Sequence, residues 1–315
     1  MMQWVQAAAL AMTVSAAPPP PEPEAVLTLP DEIIEQLDAR IIRHTRSSDR
    51  RLDQVVRYML RSGGLNLSYL HSPTRDVTGA IEDGQANCLS FTLIFLAMAD
   101  HLGLDTTARE VQAPINWRRD GSSVYESGHV NVRVVTPQRR AVVDFEPDPI
   151  RSRQLANTRR ARDISRERLL AHFYNNRAAE LLGEGWLEAA RQWSDVALEL
   201  APEFSAALNN RGVIENRLGH TDEARRHFER ALELAPENTS VLFNLYELYQ
   251  REEQEYLAEK MLERIDGIRS RDVTGHSGPF FPKRMWAANL LPNSPRSKPC
   301  HARPVSADLL INGEV

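Results

Sequence analysis

The chain has 315 residues, a formal net charge of −5 and only two cysteines. This length predicts two compact units with tails, and the acidic balance disfavours a protein that binds nucleic acid through a basic surface. Cys88 and Cys300 are too few for a disulfide framework, so each is expected to be a free thiol.

Residues 1–17 predict a signal peptide, and therefore a periplasmic or secreted protein. An uncharged apolar run at 5–14 is followed by Ser15 and Ala16, small residues of the kind that signal peptidase accepts before its cleavage site. No Lys or Arg precedes the run, so a cytoplasmic product is the alternative. No other segment has the roughly 18 apolar residues needed to cross a bilayer, so the mature chain is expected to have no transmembrane segment.

Residues 18–30 begin with a proline tract that also contains glutamates, and this composition predicts an extended, solvated spacer. Two amphipathic helices are then predicted, one from Asp31 and one from Asp49. Further on, a polar turn leads into a helix that starts at Cys88, is apolar on nearly all sides and ends near Gly103, so that it belongs in a core.

Short β-like runs follow this helix, and turn residues at 136–138 join the last two into a hairpin; the runs are 106–112, 129–135 and 140–145. Residues 31–150 are therefore predicted to form an α+β domain, with the helix before an antiparallel sheet. The Arg-dense segment 151–170 is interpreted as a solvated linker, with a phosphate-binding patch as the alternative.

The second half of the chain is repetitive. The heptad at 197–203 returns unchanged at 231–237, a period of 34 residues, which is the length of a tetratricopeptide repeat (TPR). The second copy resembles that family also in its small and apolar positions, namely Leu208, Gly212, Ala224, Phe228, Ala231 and Pro236. The resemblance implies an all-α array of about three helical hairpins over 171–273. Residues 274–315 are predicted to be a disordered tail, with a docking segment as the alternative.

Three residues of the α+β half have the chemistry of a nucleophilic site. Cys88 starts the apolar helix, where unpaired backbone N–H groups favour a thiolate. His129 and Asp144 lie on strands predicted to pair, so the carboxylate can orient the imidazole beside the sulfur. The backbone N–H of Cys88, with the side chain of Gln85 or Asn87, is the predicted oxyanion hole.

Less specific interpretations compete with this one. Cys88 alone is compatible with an inert core cysteine, and His129 alone with a structural histidine. A metal site made by Cys88, His129 and Asp144 is disfavoured because the sequence gives no close pair of ligands. No cofactor is expected.

The residues around this triad resemble the transglutaminase-like superfamily of cysteine enzymes, which have a papain-like core. The matching text is 83–92 around Cys88, the phrase Leu102-Gly103-Leu104 that ends the helix, and the strands that carry His129 and Asp144. The resemblance implies peptide or isopeptide hydrolysis, or transamidation, on a polypeptide that the TPR groove recruits. The alternative is a non-catalytic adaptor in which the transglutaminase-like domain is inactive.

Overall fold

The computed structural model describes residues 17–120, 123–156, 161–271 and 311–313. The predicted signal peptide lies outside the described residues except for Ala17, and so does most of the predicted tail. Within these ranges, no helix combines the length and the apolar character that crossing a membrane requires.

The N-terminal part begins with short helices that pack against the apolar helix. They are α1 (Pro23–Val26), α2 (Asp31–Leu37), which continues into a π-helical turn (Asp38–Ile42), α3 (Ser48–Leu60) and α4 (Val77–Asp83). The Ser47 side chain caps α3 by accepting a hydrogen bond from the Arg50 backbone N–H. The two predicted amphipathic helices are confirmed.

The predicted apolar helix is α5 (Cys88–His101), and every residue from Leu89 to Ala99 is buried. Two short strands, β1 (Ser68–Tyr69) and β2 (Gln85–Ala86), pair in parallel just before it. Because α5 is covered on all sides, its position is fixed by packing and its first residue faces a defined environment.

An antiparallel sheet packs against α5. Its strands are β3 (Asp105–Asp120), β4 (Ser123–Val135), β5 (Arg140–Val143), β6 (Ala161–Asp163) and β7 (Ile311–Gly313), in the order β6-β3-β4-β5-β7. The predicted β4–β5 hairpin is confirmed. Strands β3 and β4 also form a long hairpin, which extends well beyond the predicted runs. Residues 311–313 form an edge strand on β5, although the whole tail was predicted to be disordered.

The C-terminal half consists of paired helices. They are α7 (Arg166–Glu184), α8 (Leu187–Leu200), α9 (Ser205–Leu218), α10 (Thr221–Leu234), α11 (Thr239–Arg251) and α12 (Glu255–Arg271). Gly185 and Gly219 end α7 and α9 in the left-handed conformation, both with φ of 87°, which suits glycine at a helix C-terminus. These three helical hairpins follow the predicted repeat.

Two backbone carbonyls of the proline-rich segment accept hydrogen bonds from aromatic side chains of the repeat helices. The Trp193 Nε1–H donates to the Pro18 carbonyl at 3.1 Å, and the Tyr174 hydroxyl donates to the Pro21 carbonyl at 2.6 Å. An extended proline-rich backbone has no internal hydrogen bonds, so its carbonyls are available to aromatic donors. The segment therefore packs along α7 and α8, which the composition of the segment itself could not indicate.

The Arg-rich segment, as far as the structure describes it, lies largely in regular elements. It contributes the end of α6 (Pro149–Ala156), strand β6 and the start of α7. Arg162 and Arg168 pair with Glu110 of β3 at 3.0 and 2.9 Å. A largely buried carboxylate needs such partners. Glu110 is far from both arginines in the sequence, so the sequence alone does not indicate that they pair.

Strand β4 lies against the repeat helices. It contacts α7, α9 and α11, the first helices of the three hairpins, and we call their shared surface the inner face. All residues from Ala207 to Glu215 of α9 are buried, whereas α10 buries only Ala224, Phe228 and Ala231. The groove predicted to hold a partner is therefore contacted by a strand of the same chain.

Gly212→Ala is expected to destabilise the protein, because a Cβ at this position would lie 2.5 Å from Cε1 of the buried Phe228 ring. Overpacking of this kind typically costs about 1–3 kcal/mol. Gly267→Ala on α12 is the matched control, since nothing lies within 4 Å of a Cβ there and alanine favours a helix. Urea denaturation should show lower stability for the first variant only. Equal stabilities would contradict the packing.

Candidate functional site

Cys88 is the first residue of α5. Asn87 precedes it with an extended backbone, and its side-chain oxygen accepts a hydrogen bond from the Ser90 backbone N–H at 2.9 Å. The polar turn thus starts the helix at this residue. Cys88 is a free, half-buried thiol, and it lies at the end of the helix where the dipole favours an anion.

His129 and Asp144 form a buried pair. The register of β4 and β5 sets Val132 opposite Val143. Asp144 follows Val143 and His129 lies three residues before Val132, so the two side chains come from neighbouring positions on adjacent strands. The His129 Nε2 lies 2.8 Å from Oδ2 and 3.0 Å from Oδ1 of Asp144. Their side chains are 1% and 0% exposed. The predicted pairing of these two residues is therefore observed, and it leaves Nδ1 of His129 for another partner.

Two further donors hold the carboxylate of Asp144. The Asn131 side-chain amide donates to Oδ2 at 3.0 Å, and the Glu146 backbone N–H donates to Oδ1 at 2.9 Å. Asn131 was not among the predicted site residues. The alternation of side chains along a strand could have identified it, because residues two apart on β4 face the same side.

The imidazole of His129 also interacts with Cys88. Burial disfavours its protonation, but the charge and hydrogen bonds of Asp144 outweigh burial and, with the hydrogen bond and charge of the Cys88 sulfur, raise the pKa of His129 to about 10. The histidine therefore keeps its proton at neutral pH. Such an arrangement is an imidazolium held by a carboxylate beside a thiol.

Tyr69 lies beside the start of α5 with His71 next to it, and neither was among the predicted site residues. Pairing of β1 with β2 sets Tyr69 opposite Ala86, two residues before Cys88. Burial and, after it, the charge of Cys88 raise the pKa of Tyr69, so the phenol is close to the thiol. The Tyr69 hydroxyl lies 3.4 Å from Nδ1 of His71, which is exposed. His71 is therefore an exposed neighbour of Tyr69, whereas His129 is enclosed.

Asn87 and Gln85, the two predicted oxyanion donors, differ in their hydrogen bonds and in their position. The Asn87 amide nitrogen donates to Thr74 Oγ1 at 2.7 Å and to the His71 carbonyl at 3.5 Å, so both of its protons are used in the resting structure. Gln85 lies in β2 and is half-buried. That Gln85 donates a hydrogen bond to the oxyanion stays a prediction. The hydrogen bonds that Asn87 makes do not favour the same role for Asn87.

The first repeat helix supports the start of α5. Glu180 of α7 accepts hydrogen bonds from the Thr74 backbone N–H at 2.8 Å and from Thr74 Oγ1 at 2.9 Å. Thr74 in turn accepts from Asn87, the residue that caps the cysteine helix. This chain of hydrogen bonds connects the repeat helices to the thiol.

One group of three potential metal ligands exists among the described residues. Oxygen and nitrogen atoms of Glu215, His220 and Glu223 lie within 4.8 Å of one another. However, Glu215 already pairs with Arg211 at 2.6 Å and with His220 at 2.7 Å. These partners neutralise the carboxylate, so we assign no metal to this group.

Comparison with known families identifies one segment of the chain. Residues 205–238, which form α9 and α10, match the family described as Tetratricopeptide repeat. No curated protein matches the chain significantly. A tetratricopeptide repeat is a protein-interaction module, so the chain carries a part suited to protein partners. The matched segment does not include Cys88, His129 or Asp144.

The raised pKa of His129 predicts a pH-dependent contribution to stability. The pKa rises from its usual 6.5 to about 10 in the folded protein, so the stabilisation is complete below about 6.5 and is lost as the pH rises through 10. Urea denaturation of the wild type and of His129→Gln measures it. The difference in free energy of unfolding should shrink between pH 6.5 and 10.5, and a constant difference would contradict the assigned pair.

Asn87→Ala should both destabilise the fold and disturb the thiol. Loss of the cap costs about 1 kcal/mol, and Thr74 loses its donor. Asn238→Ala is the control, because Asn238 caps α11 by accepting from Ser240 and Val241. Both variants should lower the melting temperature, but only the first should slow alkylation of Cys88 by iodoacetamide. Equal alkylation rates would show that the cap does not position the thiol.

Proposed function

We propose that Cys88, His129 and Asp144 act as a catalytic triad of the transglutaminase-like type and carry out acyl transfer from amide groups of a polypeptide. The observation that carries this proposal is the enclosed His129–Asp144 pair, whose imidazole interacts with a half-buried thiol at a helix N-terminus. A buried charged pair is costly unless a function or a partner compensates for it. Asp144 occupies Nε2 of His129, so in this proposal the other ring nitrogen, Nδ1, serves Cys88.

In the first step, the Cys88 sulfur attacks the amide carbonyl carbon, and the carbonyl oxygen becomes an oxyanion. The C–N bond then breaks, and the His129 imidazolium gives its proton to the leaving nitrogen. The products of this step are a thioester on Cys88, a free amine and a neutral imidazole. Asp144 keeps Nε2 of His129 occupied, so that Nδ1 is the nitrogen that transfers the proton.

In the second step, water or a primary amine attacks the thioester carbonyl, and His129 removes a proton from it. The C–S bond breaks, which restores the thiolate and the imidazolium. With water the product is a carboxylic acid, so the overall reaction is hydrolysis of a peptide or isopeptide bond. With an amine the product is a new amide, so the reaction is transamidation.

The repeat array fits a polypeptide substrate or a protein partner. Because β4 carries His129 and also contacts the inner face, the array supports the proposed site. A partner that binds the inner face must share it with β4 or displace it. Recruitment of substrate by the array is therefore proposed to bring a polypeptide next to the strand that carries His129.

A protein-interaction adaptor without catalysis is the second candidate. The match of residues 205–238 to the tetratricopeptide repeat favours it specifically, because this module functions in binding. In this case the His129–Asp144 pair would be a structural feature of the sheet. The two candidates differ in the reactivity that they predict for Cys88.

Alkylation by iodoacetamide at pH 6.5 distinguishes them. In a background where Cys300 is changed to serine, Cys88 should react at least roughly tenfold faster than in His129→Ala, because the variant loses the cation that pairs with the thiolate. His101→Ala is the matched control. It removes another histidine that contacts a carboxylate, at 2.8 Å from Asp38, at the opposite end of α5.

The rates are measured by mass spectrometry of the labelled protein. The wild-type rate should persist in His101→Ala and fall in His129→Ala. Slow labelling of the wild type, or labelling that His129→Ala leaves unchanged, would favour the adaptor.

A further inference from the structure

Tyr69 is held rigidly beside the start of α5. Its ring stacks on Phe91, with an interplanar angle of 9° and centroids 6.4 Å apart. Phe91 in turn stacks on Phe145, which follows Asp144. The next residue, Leu70, donates its backbone N–H to the Ala86 carbonyl at 2.9 Å. The aromatic stack and the strand pairing therefore fix the direction in which the phenol points.

The Tyr69 phenol lies beside the nucleophile. Strand β1 pairs with β2 directly before α5, and the Tyr69 ring stacks on Phe91, one turn after Cys88 on the same helix. In acyl transfer to a nucleophile at a helix N-terminus, the backbone N–H of the nucleophile is a usual donor to the oxyanion. A hydroxyl held next to that N–H can donate to the same oxyanion.

Asn87, one of the two predicted oxyanion donors, is already engaged in other hydrogen bonds. Asn87 uses its amide to hold Thr74 and its oxygen to cap α5. Turning this amide towards a substrate would remove the cap from the helix that carries the nucleophile. The oxyanion hole therefore needs a second donor that is not part of this support.

We propose that the Tyr69 hydroxyl and the backbone N–H of Cys88 together donate hydrogen bonds to the substrate oxygen as it becomes an oxyanion. This inference rests on the proposed acyl-transfer function and assigns one of its catalytic residues. The hydroxyl would turn its proton towards the oxyanion, because a hydrogen bond to a charged acceptor is stronger than one to a neutral acceptor. No proton leaves the phenol in this step.

The electrostatics of the phenol suit a donor. Burial raises the pKa of Tyr69 well above its usual range, and the charges of Cys88 and Glu146 raise it further. The phenol therefore keeps its proton over the whole range in which a cysteine enzyme works. His71, at 3.4 Å from the hydroxyl, is the exposed neighbour next to which the substrate would enter.

Tyr69→Phe tests this role, because it removes the hydroxyl and keeps the ring that stacks on Phe91. Two probes are used in the Cys300→Ser background. Iodoacetamide alkylates the thiolate without forming an oxyanion, whereas p-nitrophenyl acetate acylates it through one, with release of nitrophenolate. Tyr58→Phe is the matched control, since the Tyr58 hydroxyl donates to Gln36 at 2.8 Å away from the site.

We expect Tyr69→Phe to keep an alkylation rate close to that of the wild type and to lose about a hundredfold in acylation, the usual effect of removing one oxyanion donor. Tyr58→Phe should change neither rate. The alkylation rate also reports that the variant has an intact site. Acylation at the wild-type rate, or equal loss of both reactions, would overturn the role of Tyr69. A wild-type thiol that is slow with both probes would instead contradict the proposed function.

Discussion

The structure depends on one enclosed ion pair, that of His129 and Asp144. Both side chains are almost inaccessible to water, and a buried charge is tolerated only when its partners replace the water. Asn131 and the Glu146 backbone provide the remaining hydrogen bonds to the carboxylate. This pair fixes the orientation of the imidazole, and α5, buried along nearly its whole length, fixes the position of the sulfur that the imidazole faces.

The repeat helices form part of the same packed body as the thiol-bearing part. Glu110 of the sheet pairs with Arg168 of α7, and Glu180 of α7 holds Thr74, which contacts the cap of α5. Gly128 shows how close the two parts are, because a Cβ there would lie 3.0 Å from the His172 ring. The repeat array therefore helps to hold the thiol-bearing part in place, in addition to providing the kind of surface that is suited to protein interactions.

This arrangement gives strand β4 two roles. It contains His129, and also Asn131, which donates to Asp144. The same strand contacts the inner face of the array. A change in what occupies the inner face would act on the strand that holds the imidazole. Substrate binding and chemistry would then be linked by a rigid element, in agreement with the proposed joint function of the two parts.

Local periodicity accounts for what the sequence alone determined. The apolar pattern identified α5, alternation and turn residues identified the hairpin of β4 and β5, and the recurring heptad identified the repeat. The placement of His129 and Asp144 on adjacent strands was enough to predict that these two side chains pair. Each of these inferences uses residues whose spacing directly reflects helix or strand geometry.

Contacts between distant segments decided the rest. The proline segment has no apolar period of its own, yet Tyr174 and Trp193 bind its carbonyls. The composition of the Arg-rich segment predicts exposure to solvent, and only the fold brings Glu110 next to two of its arginines. The sequence around Tyr69 and Asn87 gives no signal of their different surroundings, because hydrogen-bond partners depend on which chain segments the fold brings together. Sequence spacing fixes side chains within an element, whereas only tertiary packing determines which donors meet which acceptors.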